Sequence, residues 1–226
     1  MKIVITLPFL ILCYCACVNK SARVKTETKV QRIFADTSKY KQAICDLDLI
    51  NFYQKLSSQL NLSDISTIGT DSIEYRVWKA AAFCPFTELF ILKGIDTSWT
   101  ISYYKMYPRE YDYDNPKHKS WNPLKDPIID SLTSKSLRLN LNMIIDINSS
   151  INPDSIWSLP SQCEIKGNYG ATDGSWFSME VASKNKYKFL FYNNPTGYFS
   201  QEVNHTKFLL ASGYVMDIVY KLIPSP

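Results

Sequence analysis

Glu180 is the residue of this 226-residue chain whose neighbours best suit it to chemistry. In Asp173-Gly174-Ser175-Trp176-Phe177-Ser178-Met179-Glu180, strand alternation sets Trp176, Ser178 and Glu180 on one face and Ser175, Phe177 and Met179 on the other. A carboxyl beside a buried indole loses water, which raises its pKa and fits it for general acid or base work, with Asp173 as a second acid close by in sequence. The opposing reading is structural: Glu180 pairs across the sheet with Arg76 of Tyr75-Arg76-Val77-Trp78. One carboxylate without a metal set or an oxyanion donor does not define an active site, so the structural reading is preferred. The two histidines, His118 in a proline-rich stretch and His205 at the head of a helical segment, have no partner at motif spacing. No H-E-x-x-H, G-x-S-x-G, phosphate-loop or dinucleotide fingerprint occurs, and no C-x-x-C; neither metal nor cofactor is expected.

A second group of residues could bind rather than react. Tyr103, Tyr104, Tyr107, Tyr111, Tyr113 and Trp121 stand among charges of both signs, and Tyr107 to Pro127 carries Pro108, Pro116, Pro123 and Pro127. This reads as a long loop. Rings with an apolar face and a polar tip suit contact with a protein or a glycan, so Tyr107, Tyr111, Tyr113 and Trp121 are the candidate binding residues. The competing reading folds the same rings back over a sheet edge.

The elements that must position these residues follow from periodicity. Leu49, Tyr53, Leu56 and Leu60 recur at helical spacing behind Asp46 or Asp48, so a helix is expected over Asp46 to Leu60. Strands are expected over Ser72 to Phe83, Thr87 to Lys93 and Ser98 to Met106, the last two forming a hairpin around Gly94-Ile95-Asp96-Thr97. Leu137 to Ile147 fits strand and helix alike. Asn152-Pro153-Asp154 opens a short helix through Trp157. A second hairpin joins Ser175 to Ala182 with Tyr187 to Tyr192, and Asn204 caps a final helix with Phe208, Val215, Ile218, Val219 and Leu222 along one stripe. The expected fold is α+β: one curved antiparallel sheet with an N-terminal and a C-terminal helix packed on the same face.

The first seventeen residues carry the address. Lys2 precedes an apolar run from Ile3, and Tyr14-Cys15-Ala16-Cys17 ends it with a small residue before a cysteine. The run is shorter than the ~20 residues a membrane-crossing helix needs. The segment resembles the lipobox of bacterial lipoproteins, which implies a diacylglyceryl group on the Cys17 sulfur and cleavage after Ala16, leaving Cys17 as the lipid-bearing first residue of the mature chain. Tyr14 and Cys15 depart from the Leu and the small Ala, Ser or Thr of that pattern. The resulting organisation is a signal peptide (1–16), a lipid-anchored tether (17–35) and one domain (36–226). Lys20, Arg23, Lys25, Lys29 and Arg32 face only Glu27 in the tether.

Removing Lys2 with the leader lowers the formal charge from +4 to +3, spread through the chain rather than gathered on one face, so nucleic acid is not an expected partner. Of six cysteines, Cys13, Cys15 and Cys17 fall in the leader; Cys45, Cys84 and Cys163 allow one bridge at most.

Tyr75-Arg76-Val77-Trp78, Phe83-Cys84-Pro85, Trp157-Ser158-Leu159-Pro160 and Asp173-Gly174-Ser175-Trp176, with Glu180 and Tyr187, together resemble a group of small bacterial envelope proteins. That resemblance implies a compact α+β domain with a shared core on Arg76, Trp78, Trp157, Trp176 and Glu180. It brings no catalytic role. The functional expectation is a membrane-anchored envelope protein that binds another envelope protein or a glycan. A hydrolase using Glu180 is the alternative, and an immunity-type protein that neutralises a toxin is a third reading.

Overall fold

The computed structural model describes residues 30–33, 47–81, 84–95, 98–109, 125–140, 142–143, 151, 153–165, 174–194 and 203–223. Their elements are β1 (Gln31–Ile33), α1 (Leu47–Gln59), α2 (Ile65–Ile68), β2 (Ile73–Ala81), β3 (Thr87–Ile95), β4 (Ser98–Pro108), β5 (Ile129–Arg138), α3 (Pro153–Ser158), a 3-10 turn (Gln162–Glu164), β6 (Ser175–Ala182), β7 (Lys186–Asn193) and α4 (Val203–Leu222). One seven-stranded sheet runs in the order β1-β7-β6-β2-β3-β4-β5. The class is α+β. Every neighbouring pair is antiparallel except β1 with β7, which is parallel, so the sheet is mixed rather than purely antiparallel.

Helices cover both faces of this sheet, which corrects the expectation that the first and last helices share a side. Ile50, Tyr53, Leu56 and Leu60 of α1 and its end pack with Trp78, Leu89, Ile91, Tyr187 and Phe189. Phe208, Val215 and Val219 of α4 pack with Tyr75, Val77, Phe90, Leu92, Met179 and Tyr192 on the other side. The reason lies in the central strands. β2 and β6 are buried along both of their faces, with Val77, Trp78, Met179 and Val181 each at 0 % exposure, and a strand apolar on both sides needs a layer over each.

Local chemistry sets the element ends. Asp64 caps α2, its Oδ1 accepting the Ser66 amide at 3.0 Å. The helix stops at Gly69, whose φ of +66° suits glycine and whose missing Cβ would sit 2.6 Å from the Lys184 carbonyl oxygen. At the β3–β4 hairpin the Trp99 ring lies over Gly94, where a Cβ would come within 2.3 Å of it. The end of α1 is tied to the start of β5: Gln59 donates to the Pro127 carbonyl at 2.6 Å and accepts from the Ile129 amide at 3.0 Å.

Three expectations shift. β1 lies within the segment read as tether, paired with the outer side of β7. Tyr103, Tyr104, Tyr107 and Pro108 belong to β4, so that strand runs two residues past Met106 and a loop can begin only after Pro108. β5 starts at Ile129, well before the stretch 137–147 whose type periodicity left open; of that stretch, Leu137 and Arg138 are strand. Among the described residues no helix is long and apolar enough to cross a membrane.

Candidate functional site

The site grows from the alternation of β2. Glu74, Arg76 and Trp78 point to the α1 side, where Arg76 stands directly opposite Glu180 of β6. All four side chains are almost fully buried, at 2, 2, 0 and 3 % exposure. Removing charges from water is unfavourable unless each finds partners, and their arrangement answers that requirement. The Arg76 Nε donates to Glu74 Oε1 at 2.7 Å, Nη1 to the Ser57 hydroxyl of α1 at 3.3 Å, and Nη2 to the Ser63 carbonyl at 2.9 Å. Lys93 of β3 approaches the other Glu74 oxygen at 3.0 Å.

Glu180 is held differently from expectation. Its carboxylate does not form the cross-strand ion pair with Arg76, because the guanidinium turns to Glu74, two residues along its own strand, and to the end of α1. Instead the Trp78 indole N–H donates to Oε2 at 2.8 Å and the Tyr187 hydroxyl to Oε1 at 2.9 Å. Trp78 also stacks on Tyr53 of α1, with ring centroids 4.6 Å apart. Burial pushes the Tyr53 phenol up to about 12, offset in part by the Ser178 hydroxyl and reinforced by Glu180. Tyr187 is raised well above its ordinary value, by burial first and then by Glu180. Both phenols are therefore neutral throughout the physiological range, and Tyr187 is a neutral donor to Glu180.

Arg76 and Glu180 form the floor of a cavity of about 140 Å³. Gln54, Ser57 and Ser58 of α1 line it with Leu62, Asp64 and Ile65 from the turn into α2. Burial acts to raise the Asp64 carboxyl, yet hydrogen bonds from Ser66 and Thr67 outweigh that and hold it below its ordinary value. The niche offers a guanidinium, carboxylates and hydroxyls: it can hold water or a small polar group. Among the described residues no group of three or more His, Cys, Asp or Glu side chains could hold a metal ion.

The other candidates are scattered. Trp176 shares the α1-side cluster, and Gly174 precedes β6 with a φ of +150°; Asp173 lies outside the described residues. Tyr107 sits near the end of β4, its ring centroid 5.9 Å from Phe86 and 5.6 Å from the Lys105 ammonium. Tyr111, Tyr113, Trp121, His118, Cys45 and Cys17 lie outside the described residues, and His205 is the third residue of α4. Cys84 is a free, half-exposed thiol. The structure therefore sets Arg76 opposite Glu180 on one cavity without a direct bond between them, and places Tyr107 on β4, outside that cavity's lining.

Two polar clusters escape a reading of the sequence. On the α4 side, Glu88 accepts the hydroxyls of Tyr103 and Tyr220 at 2.8 Å each and pairs with Lys79 at 3.2 Å. Lys79 and Glu88 are direct neighbours in the β2–β3 register, so pairing these strands would have exposed the contact, whereas Tyr220 comes from a distant helix. Lys188, buried on β7, donates to the carbonyls of Trp157 at 2.8 Å and of Leu159, fastening α3 to the sheet. Comparison of the chain with protein-family models, with curated proteins and with solved structures finds no match.

Proposed function

We propose that the chain is a lipid-anchored protein of a bacterial cell envelope, attached through a diacylglyceryl group on Cys17, whose folded domain binds another envelope protein or a glycan and catalyses no reaction. The observation that carries this reading is the state of Glu180. Both of its oxygens accept hydrogen bonds from buried donors, and its exposure is 3 %. A general acid or base must bring an oxygen within hydrogen-bond reach of its substrate, so this carboxylate serves the fold instead. The binding part rests on Tyr107, which with Phe86 and Lys105 forms an aromatic and cationic base at the start of the segment that carries Tyr111, Tyr113 and Trp121.

Replacing Tyr111 and Tyr113 together by Ser tests the contact surface. If the two rings serve contact and not packing, the melting temperature stays within about 2 °C of the parent and the partner captured by crosslinking the full chain in cells is lost. A large fall in melting temperature, or undiminished capture, contradicts it. A hydrolase acting through Glu180 is the second reading, and the cavity onto which Glu180 opens speaks for it. Glu180→Gln separates the two: loss of a hydrolytic activity with partner capture retained would favour the enzyme.

A further inference from the structure

Among the described residues the β5 edge of the sheet is open, and it is long and self-complementary. β5 is the outermost strand on its side, and among the described residues no strand pairs with its far edge. It is ten residues long, whereas the opposite edge is closed by the three-residue β1. Nearly all of it is exposed on both faces, including Leu132 at 46 % and Leu137 at 42 %. An edge strand of this kind presents a row of unpaired amide and carbonyl groups, and natural edges are blunted by proline, by bulges or by charged side chains such as lysine; the one lysine of β5, Lys135, meets an uncharged Thr133 in the register below. β5 has no proline. Its one irregularity lies at the Asp130 end, where Tyr107 pairs with Ser131 and Pro108 with Ile129, so residues 131–138 remain in regular register.

We propose that this edge pairs with β5 of a second copy of the chain, antiparallel and centred on Ser134, giving one continuous sheet across a two-fold axis. The faces restrict the register to one centred on a residue, and the charged ends fix which residue that is. Leu132 is opposite Met106, which belongs to the α1-side cluster, so even-numbered residues of 131–138 point to that side and odd-numbered ones to the α4 side. An axis perpendicular to the sheet keeps the faces, and only residues of like parity can then be opposed. Centring on Ser134 sets Ser131 against Leu137, Leu132 against Ser136 and Thr133 against Lys135 of the second copy. No like charges meet.

The ends decide the direction. The strand is acidic where it begins, at Asp130, and basic where it ends, at Arg138. Antiparallel pairing brings each Arg138 to the Asp130 end of the other copy. Arg109 already donates twice to Asp130 Oδ1, at 2.9 and 2.7 Å, which leaves Oδ2 for Arg138 of the second copy. Parallel pairing would instead align Lys135 with Lys135 and Arg138 with Arg138. A single pair of strands covers less than the roughly 1,200–2,000 Å² of a stable interface, so the dimer forms in proportion to the amount of protein.

Cysteine scanning of the full chain in cells tests the register, with the parent chain as the blank for its own thiols. Directly opposed strand residues have the spacing a disulfide needs, and those offset by two do not. After brief oxidation, Ser134→Cys gives a linked dimer about tenfold or more above the parent, Thr133→Cys alone stays at the parent level, and co-expressed Thr133→Cys and Lys135→Cys give a mixed dimer. Adding Arg138→Glu to Ser134→Cys lowers the dimer yield about fivefold at an unchanged melting temperature. A Ser134→Cys yield no higher than that of the parent or of Thr133→Cys overturns the proposal. So does a link from Ser134→Cys to a different protein, or a yield unaffected by Arg138→Glu.

Discussion

Glu180 decides how the polar heart of the molecule is read, because a buried carboxylate with two neutral donors stabilises the fold only while both bonds survive. Glu180→Ala would leave the Trp78 indole N–H and the Tyr187 hydroxyl buried without an acceptor. The expected cost is about 3–5 kcal/mol, or a fall of roughly 10 °C in melting temperature for a chain of this size. Glu180→Gln keeps one acceptor oxygen and should cost less, about 1–3 kcal/mol; thermal unfolding of both variants checks the order. Asp64 acts at the acid end of the pH range. Its folded carboxyl lies below the ordinary 3.8, so its contribution is fully present above that value and is lost as pH falls through the lower folded value. Asp64→Asn should therefore flatten the acid limb of a stability profile below about pH 4 and leave the profile near neutrality little changed in slope. Glu180 and Arg76 were legible as buried neighbours, since alternation in two strands places them on facing positions. Their partners were not. Whether Arg76 turns to Glu180 or to Glu74 depends on where α1 ends and brings Ser57 and the Ser63 carbonyl, a tertiary fact that no local spacing contains.

Among the elements, the strands that show in the sequence are those with a strong chemical reason to be strands. β2, β3, β4, β6 and β7 are rich in β-branched and aromatic residues because they lie in the middle of a sheet covered on both sides. β5 reads Ile-Asp-Ser-Leu-Thr-Ser-Lys-Ser-Leu-Arg and shows no apolar alternation, because past Ile129 nearly all of it is exposed on both faces. β1 is three residues long and exists through its pairing with β7, so its own composition carries no signal. Helical periodicity gave α1 and α4 but not their sides, since an apolar stripe says that a helix packs and not on which face of a sheet. The β3–β4 hairpin offers a test of element packing. Gly94→Ala would drive a Cβ into the Trp99 ring, which is 95 % buried over it, and should cost about 1–3 kcal/mol by forcing the indole aside. Gly213→Ala on α4, where a Cβ meets nothing within 4 Å, should instead be neutral or stabilising by up to about 1 kcal/mol. Denaturant titration of the two variants distinguishes packing from propensity.

The whole molecule is a three-layer domain with a dense population of buried phenols, and that sets its alkaline limit. Tyr53, Tyr75, Tyr103, Tyr187 and Tyr220 are all raised above 10, chiefly by burial. A raised folded pKa contributes stability that is fully present below the unfolded value and lost as pH rises through the folded one. Tyr53 alone, moved from 10 to about 12 at full burial, accounts for about 3 kcal/mol. Cooperative unfolding should accordingly begin above pH 10, with tyrosinate absorbance and loss of near-ultraviolet circular dichroism appearing together; tyrosinate formation well ahead of unfolding would contradict it. On the proposed reading, the address of the domain rests on Cys17 and on the basic stretch after it. Fractionating cells that express the full chain, with a labelled fatty acid in the medium, tests this most directly. The account predicts label and membrane association for the parent chain and the loss of both in Cys17→Ser, with the domain recovered folded in the soluble fraction. Membrane association and label undiminished in Cys17→Ser would contradict it.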